Sequence, residues 1–133
     1  METALNLIST TSPSYPILAS IEKNINFLNS NKGRQKINEL INNIEKIKNN
    51  LENLESIKFY KGKDPTKILT RIQPLKGVTL KGFELSEILL DKYKIEDEIT
   101  NEKSTMFLCG IGTDLKKLKR LESALKNISK NLL

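Results

Sequence analysis

The chain begins with two hydrophobic repeats that have the period of an α-helix. Spacings of three and four between apolar residues predict a short amphipathic helix, starting at Pro16, and then a long helix over 34–56. The break between them is predicted at 29–33, where polar residues precede a glycine. The apolar positions are Ile17, Leu18, Ile21, Ile25 and Leu28 in the first repeat, and Ile37, Leu40, Ile44, Ile47, Leu51 and Leu54 in the second, with Ile41 widening the stripe.

The pattern changes to alternation after residue 56. A short edge strand is predicted at Ile57–Tyr60, and a strand with one buried face is predicted at 66–72. Helical spacing returns at 83–93 and again after Gly112, with strands predicted at 95–100 and 105–109. The order from residue 66 is therefore strand, helix, strand, strand, helix. This order predicts an α+β fold in which N-terminal helices, one of them long, precede a small sheet with its helices on one face.

The composition describes a basic protein with an aliphatic core. Its 133 residues suffice for one domain, or for one domain with an appendage. Lys and Arg number 22 against 16 Asp and Glu, which gives a net charge of +6. The lysines are mixed with Glu and Asn and form no block of like charges. Because a solvated surface accounts for this balance, we expect no nucleic-acid partner.

The single cysteine, Cys109, lies in the apolar run of the strand predicted at 105–109. One cysteine cannot build a disulfide framework, and the chain has no histidine to activate a thiol, so we interpret Cys109 as a packing residue. We see no basic leader followed by an apolar core, and no apolar run near the ~20 residues that span a bilayer. We therefore expect a cytoplasmic protein without membrane contact, and we predict no metal site.

Hydroxyl side chains cluster immediately before the first predicted helix. Hydroxyl groups and the free N–H groups of a helix start are suited to bind an anion such as phosphate. Serine and threonine are also ordinary helix caps, so the spacing leaves both a phosphate site and a capped helix start open. The segment reads Ser9, Thr10, Thr11, Ser12, Pro13, Ser14 and Tyr15.

The sequence of this loop closely resembles a segment of the Orn/Lys/Arg decarboxylases. It reads Thr-Thr-Ser-Pro-Ser-Tyr and is followed by Ala19-Ser20. In those enzymes, which use pyridoxal phosphate and have the aspartate-aminotransferase fold, the segment follows the active-site lysine. A second set of motifs resembles the C-terminal domain of the same family in order and content, so that the resemblance spans most of residues 9–129. That set comprises Asp64-Pro65-Thr66-Lys67, Gly82-Phe83-Glu84-Leu85, Tyr93-Lys94-Ile95, Glu98 and Gly112.

The resemblance implies an intact enzyme that removes the α-carboxylate of lysine, arginine or ornithine as carbon dioxide. It implies that Thr10, Thr11 and Ser12 reach the phosphate of the cofactor bound by the partner subunit of a dimer. The family holds this cofactor covalently through a lysine in a Ser-x-His-Lys motif, and this sequence contains no histidine. We therefore expect the C-terminal part of such an enzyme, with no catalytic residue of its own and no activity alone.

The resemblance also suggests a domain organisation. Residues 1–31 would be a remnant of the large cofactor-binding domain, 32–57 the long connecting helix and 58–133 the small α+β domain. Because the remnant lacks its sheet, its apolar stripe should pack on the remainder of the large domain or on a second copy, giving a homodimer or higher homo-oligomer. Glu98 matches an acidic position that follows a Gly-Ile turn in the family, although the turn here is Lys94-Ile95. Either a solvated charge or a family role fits Glu98.

An alternative function belongs to a different class of protein. The repeat over 34–56 covers about three heptads, which is close to the minimum for a coiled coil. The chain would then be a helical dimerisation or interaction module whose basic surface holds an anionic partner. This alternative explains the repeat and the charge, but it does not explain the motifs of the hydroxyl loop.

Overall fold

The computed structural model describes residues 12–60, 62–73 and 80–131. In these ranges the chain forms four helices and one four-stranded antiparallel sheet, which confirms the predicted α+β class. The chain divides into two compact units, one ending at Gln35 and the other beginning at Lys36. The elements are α1 (Tyr15–Asn29), α2 (Asn31–Leu51), β1 (Ile57–Tyr60), β2 (Lys67–Ile72), α3 (Gly82–Tyr93), β3 (Ile99–Thr100), β4 (Ser104–Leu108) and α4 (Leu115–Asn131).

Helix α1 belongs to the first unit and begins one residue earlier than predicted. Ser14 is extended, with φ −81° and ψ 103°, and its carbonyl accepts the first helical hydrogen bond from the amide of Leu18 at 3.0 Å. Pro16 therefore occupies the second helical position, where its missing N–H is equally harmless. None of the residues of α1 is buried, and its apolar stripe is exposed, with Ile17 60% accessible.

The break between α1 and α2 lies where the sequence predicts it. Ser30 donates its hydroxyl to the carbonyl of Phe27 at 2.6 Å and accepts the amide of Gly33 at 3.1 Å, so that it caps the start of α2. A Cβ atom on Gly33 would overlap the carbonyl oxygen of Phe27. The turn between the helices is therefore tight enough to require glycine at this position.

Helix α2 supplies one wall of the core of the second unit. The seam residues Leu40, Ile44, Ile47 and Leu51 are all buried in that core. The coiled-coil interpretation is therefore wrong, because the apolar seam already packs within the chain. The helix also ends at Leu51, five residues before the predicted end at 56, because the chain turns there to bring Ser56 into the core.

The sheet of the second unit has the order β1-β2-β4-β3 and buries one face. Helices α2, α3 and α4 all contribute residues to the core against that face, as predicted for helices on one side of a sheet. Alternation along each strand separates this face from the exposed one. The inward positions are Ile57, Phe59, Ile68, Thr70, Ile72, Thr105 and Phe107.

Buried polar groups join the start of α3 to the sheet. Thr70 donates its hydroxyl to the carbonyl of Thr105 at 2.9 Å, and the Thr105 hydroxyl lies 3.3 Å from the carbonyl of Gly82, to which it donates. The amide of Gly82 donates to the carbonyl of Glu102 at 2.9 Å. A Cβ atom on Gly82 would overlap the carbonyl oxygen of Asn101 and lie 2.9 Å from that of Ser104. This close approach of helix and hairpin explains the glycine.

The chain reverses direction after α3 at a non-glycine residue. Lys94 has a left-handed backbone, with φ 54° and ψ 45°. Its amide donates to the carbonyl of Leu90 at 3.1 Å, and the amide of Ile95 donates to that of Leu89 at 3.0 Å, which is a Schellman-type ending. Because this turn buries Ile95 in the core outside any ladder, the strand predicted at 95–100 shrinks to Ile99–Thr100.

Cys109 follows β4 and is 5% exposed. Its amide donates to the carbonyl of Thr66 at 3.0 Å, which continues the pairing of β4 with β2. Burial raises the pKa of the Cys109 thiol, and the charge of Lys48 offsets part of that effect. The thiol is therefore protonated at neutral pH, in agreement with the interpretation of Cys109 as a packing residue.

We predict that Gly82→Ala lowers the free energy of unfolding by about 2 kcal/mol or more, because an added methyl group forces the helix and the hairpin apart. Chemical denaturation would measure the change. Gly110→Ala is the matched control, since a Cβ at that exposed glycine meets no atom within 4 Å. Equal effects of the two substitutions would show that the close approach at Gly82 is unimportant.

We predict that Cys109 reacts with an aromatic disulfide reagent at mildly alkaline pH at least about tenfold more slowly in the folded chain than in the unfolded chain. The reason is that burial both hinders access and raises the pKa of the thiol. The release of the coloured thiolate measures the rate, and the chain in guanidinium chloride is the reference. Equal rates in the folded and unfolded chains would contradict a protonated packing residue.

Candidate functional site

The described part of the hydroxyl loop consists of Ser12, Pro13 and Ser14, and all three residues are exposed. The other two predicted site residues, Thr10 and Thr11, lie outside the described residues. Ser12 is two positions before the helix cap of α1, so the end of the loop meets the helix N-terminus. This is the local arrangement that an anion site at a helix start requires.

The first turn of α1 presents several hydrogen-bond donors and no carboxylate. The amides of Tyr15 and Ile17 lie in the first helical turn and have no carbonyl partner within the helix. Pro16 between them has no N–H, and no acidic residue occurs in this turn. The hydroxyl of Ser14 makes no capping hydrogen bond. The positive end of the helix dipole is therefore not compensated by a side chain of this turn.

Ser14 was not among the predicted site residues, although the sequence contains a signal for it. A serine cap normally accepts a hydrogen bond from the second or third helical amide. Here the second helical residue is Pro16, which has no amide hydrogen to donate. A Ser-x-Pro sequence at a helix start thus weakens the capping role of the serine. Its hydroxyl can then serve another acceptor.

The donor set fits the phosphate end of pyridoxal phosphate. Hydroxyl and amide donors at a helix N-terminus bind a dianionic phosphate through charge-assisted hydrogen bonds. Ser12 and Ser14 carry hydroxyl groups on this short segment, and the amides of Tyr15 and Ile17 have no carbonyl partner within α1. The covalent lysine motif is not part of the set, because the sequence contains no histidine. The residues present fit the phosphate of the cofactor and not its reacting end.

The motif Asp64-Pro65-Thr66-Lys67 forms a turn that starts β2. One carboxylate oxygen of Asp64 accepts the amide of Thr66 at 2.9 Å and its hydroxyl at 2.6 Å, while the Lys67 ammonium lies 3.5 Å from the other oxygen. These contacts, the Thr66 hydroxyl first, hold the pKa of Asp64 below its ordinary value. The motif therefore has a structural role at this turn.

Glu98 belongs to the second unit and is exposed. Its amide donates to the carbonyl of Met106 at 2.9 Å, which extends the β3–β4 pairing by one residue. Its carboxylate forms no ion pair within the described residues. The structure thus gives Glu98 a backbone contact in the hairpin and leaves its side chain in solvent.

The described ranges contain neither a metal-binding cluster nor a membrane-spanning helix. No group of three or more histidine, cysteine or carboxylate side chains in these ranges is arranged to hold a metal ion. None of the described helices combines the length and the apolar character that a membrane crossing requires.

Comparisons with known proteins point to one family. The family model for the major domain of the Orn/Lys/Arg decarboxylases matches residues 1–87. That match includes the hydroxyl loop, both N-terminal helices and the first two strands, and it ends within α3. A search of curated protein sequences finds no match.

Two solved structures share the fold of this chain. The constitutive lysine decarboxylase of E. coli superposes with a TM-score of 0.75 at 21% identity, covering 96% of this chain and 24% of the enzyme. The lysine decarboxylase of Francisella novicida superposes with a TM-score of 0.77 at 22% identity, covering 96% of this chain and 23% of the enzyme. The chain thus spans about a quarter of each enzyme's length. Since the family model matches well over half of the chain, the protein belongs to the Orn/Lys/Arg decarboxylase family.

Proposed function

We propose that this chain is the C-terminal part of a pyridoxal-phosphate-dependent decarboxylase of basic amino acids. The observation that carries the proposal is the family match, and it is supported by the first turn of α1, which follows the hydroxyl loop in the sequence and contains no acidic residue. The solved relatives are lysine decarboxylases, which supports lysine, or its relatives arginine and ornithine, as the substrate class. The products would be the corresponding diamine, or agmatine, and carbon dioxide.

In this proposal the chain binds and positions the phosphate. Thr10, Thr11 and Ser12 donate hydroxyl hydrogen bonds to the phosphate oxygens, and the positive end of the α1 dipole adds to the attraction. When bound, pyridoxal phosphate supplies the electron sink for loss of the α-carboxylate. The chain supplies no proton-transfer group and no covalent link in this reaction, because the lysine motif of the family is not in its sequence.

The proposed partner of α1 is the neighbouring part of a larger assembly. The apolar stripe of α1 is exposed along the whole helix, including Ile21 and Ile25. A stripe of this kind is a sign of an interface. We infer that it packs on the remainder of the large domain or on a second copy, and that the phosphate held by the loop belongs to the neighbouring subunit. The assembly would be cytoplasmic.

The helical-module alternative has lost the feature that favoured it. Its dimerisation seam was the apolar repeat of α2, and the structure buries that repeat in the core of the second unit. The basic charge remains, but it accompanies no described surface that would distinguish an anionic partner. The decarboxylase proposal is therefore the one we retain.

We predict that the chain alone releases no carbon dioxide from lysine, arginine or ornithine in the presence of pyridoxal phosphate. Manometry or a radiometric assay would measure this. Its many lysines should form only slow, scattered adducts, so borohydride trapping and peptide mapping should find no single stoichiometric site. One stoichiometric lysine adduct together with turnover would overturn the proposal of an incomplete site.

We predict that Thr10→Ala, in an active enzyme that contains this loop, weakens pyridoxal phosphate binding by about one to two orders of magnitude. The reason is that a hydrogen bond to a charged group contributes roughly 1.5–3 kcal/mol. Cofactor fluorescence during dialysis would measure the affinity. Ser20→Ala is the matched control, because the Ser20 hydroxyl donates to the carbonyl of Ile17 within α1 and not to the loop.

The cross-subunit role has its own test. Mixing the Thr10→Ala enzyme with a variant that lacks the covalent lysine should give heterodimers in which one site carries both defects and the other carries neither. Activity should then return in part. Wild-type cofactor affinity in Thr10→Ala, or no recovery in proven heterodimers, would reduce the loop to a helix cap.

A further inference from the structure

A groove of about 580 Å³ runs along the open edge of β1. In the described sheet β1 is an edge strand that pairs with β2 alone. All four residues of β1 line the groove, although successive side chains of a strand point to opposite faces. A groove that touches every residue of a strand follows its backbone edge. We call this the β1 groove; its lining also includes Glu45, Lys48 and Asn49 of α2, Glu52 just after α2, and Gly62 and Pro65 beyond the strand.

The phase of the ladder identifies which backbone groups face the β1 groove. The amide of Gln73 donates to the carbonyl of Ser56 at 2.8 Å, so these residues form a hydrogen-bonded pair. Antiparallel ladders alternate between hydrogen-bonded and non-hydrogen-bonded pairs. With Ile57 opposite Ile72, the N–H and C=O groups of Ile57 and Phe59 therefore point away from β2 and into the groove. No turn, loop or cap hydrogen bond of the described chain uses them.

The side chains of β1 define two sides of any added strand. Ile57 is buried and Phe59 is half-buried against the core, so both face the helical layer. Lys58 and Tyr60 are exposed on the other face of the sheet. A strand added antiparallel to β1 places the residues that bond to Ile57 and Phe59 on the helical side as well, because directly opposite residues share a face.

The charged residues on the helical side of the β1 groove indicate which charge a bound segment should carry. Glu45 lies on α2 and Glu52 directly follows its last residue; both line the groove, and neither forms an ion pair with any described residue. Lys48 lies between them, and its ammonium donates to the carbonyl of Lys67 at 3.1 Å. The helical side of the groove therefore carries two carboxylates against one ammonium, and this negative balance favours basic side chains on the helical side of an added strand.

We propose that the β1 groove binds an extended, basic segment of a partner protein by antiparallel strand addition. The main-chain groups of Ile57 and Phe59 supply the hydrogen bonds, and Glu45 and Glu52 supply the preference for Lys or Arg. A second copy paired with Ile57 opposite Phe59 would set Lys58 directly against its own equivalent, where like charges destabilise the pair.

The probe is the fluorescent hexapeptide acetyl-Lys-Thr-Lys-Thr-Lys-Thr-amide, whose lysines would face α2. We expect saturable binding to the full chain by fluorescence anisotropy, at least about tenfold tighter than that of the same peptide with Glu in place of Lys. Bound peptide should slow hydrogen exchange at the amides of Ile57 and Phe59. The amides of Lys58 and Tyr60, which already pair with β2, should change little.

Backbone methylation separates strand addition from simple charge attraction. In the antiparallel arrangement the lysine amides face β1, so N-methylation of the lysines should abolish binding while N-methylation of the threonines leaves it intact. Both methylated peptides keep the same charges. Binding that survives lysine methylation would overturn strand addition, and binding lost only on threonine methylation would overturn the antiparallel pairing.

Substitutions of Glu45 and Glu52 test whether these carboxylates contribute to peptide binding. The double change Glu45→Gln with Glu52→Gln should weaken the peptide about fivefold or more, since each exposed ion pair is worth a few-fold in affinity. The matched control, Glu87→Gln with Glu96→Gln, removes the same charge from exposed positions outside the groove and should leave affinity unchanged. Equal effects of the two double changes would overturn the proposal. Self-association of the chain that the peptide reverses would also overturn it, because the edge would then belong to a second copy.

Discussion

The second unit depends on the hydrogen bonding of β2 along both of its edges. Its residues alternate between partners, with Leu69 and Arg71 directed at β1 and Ile68 and Thr70 directed at β4. The same alternation turns Ile68, Thr70 and Ile72 toward the helices. A shift of one residue in either ladder would turn this face to solvent. The register of β2 therefore determines which residues enter the core and which groups β1 exposes at its edge. Through Thr70 and Thr105 it also positions Gly82 at the start of α3.

Hydrophobic spacing predicts much of this fold and fails where tertiary contacts intervene. It finds both N-terminal helices and the order of the small sheet, because each element carries its apolar residues on one face. It extends α2 too far, since the apolar residue Leu54 continues the repeat while Ser56 is drawn into the core, where its hydroxyl and that of Ser129 lie 2.5 Å apart. It also takes the buried Ile95 for part of a strand. Periodicity records burial, and both helices and turns can bury an apolar residue.

The phosphate role of the hydroxyl loop stays a prediction, and the sequence names only some of the groups near the start of α1. Hydroxyl residues ahead of a helix indicate either a cap or an anion site, and the resemblance to the decarboxylases favours the second. Ser14 makes no side-chain capping hydrogen bond, and its position next to a helical proline becomes clear only when the helix start is known. The groove along β1 could not be predicted from residue types. The backbone N–H and C=O groups of Ile57 and Phe59 point away from β2 because of the strand register, which only the structure gives.

Lys94 has a left-handed backbone conformation that favours glycine, yet the residue at this position is a lysine. A left-handed turn at a helix end is the ordinary place for glycine, and a side chain there costs roughly 1 kcal/mol. The two amide hydrogen bonds at this turn and the burial of Ile95 are strong enough to hold a lysine in that conformation. The path of the main chain at this corner is therefore set by its hydrogen bonds and by the buried Ile95, and not by the residue type at position 94.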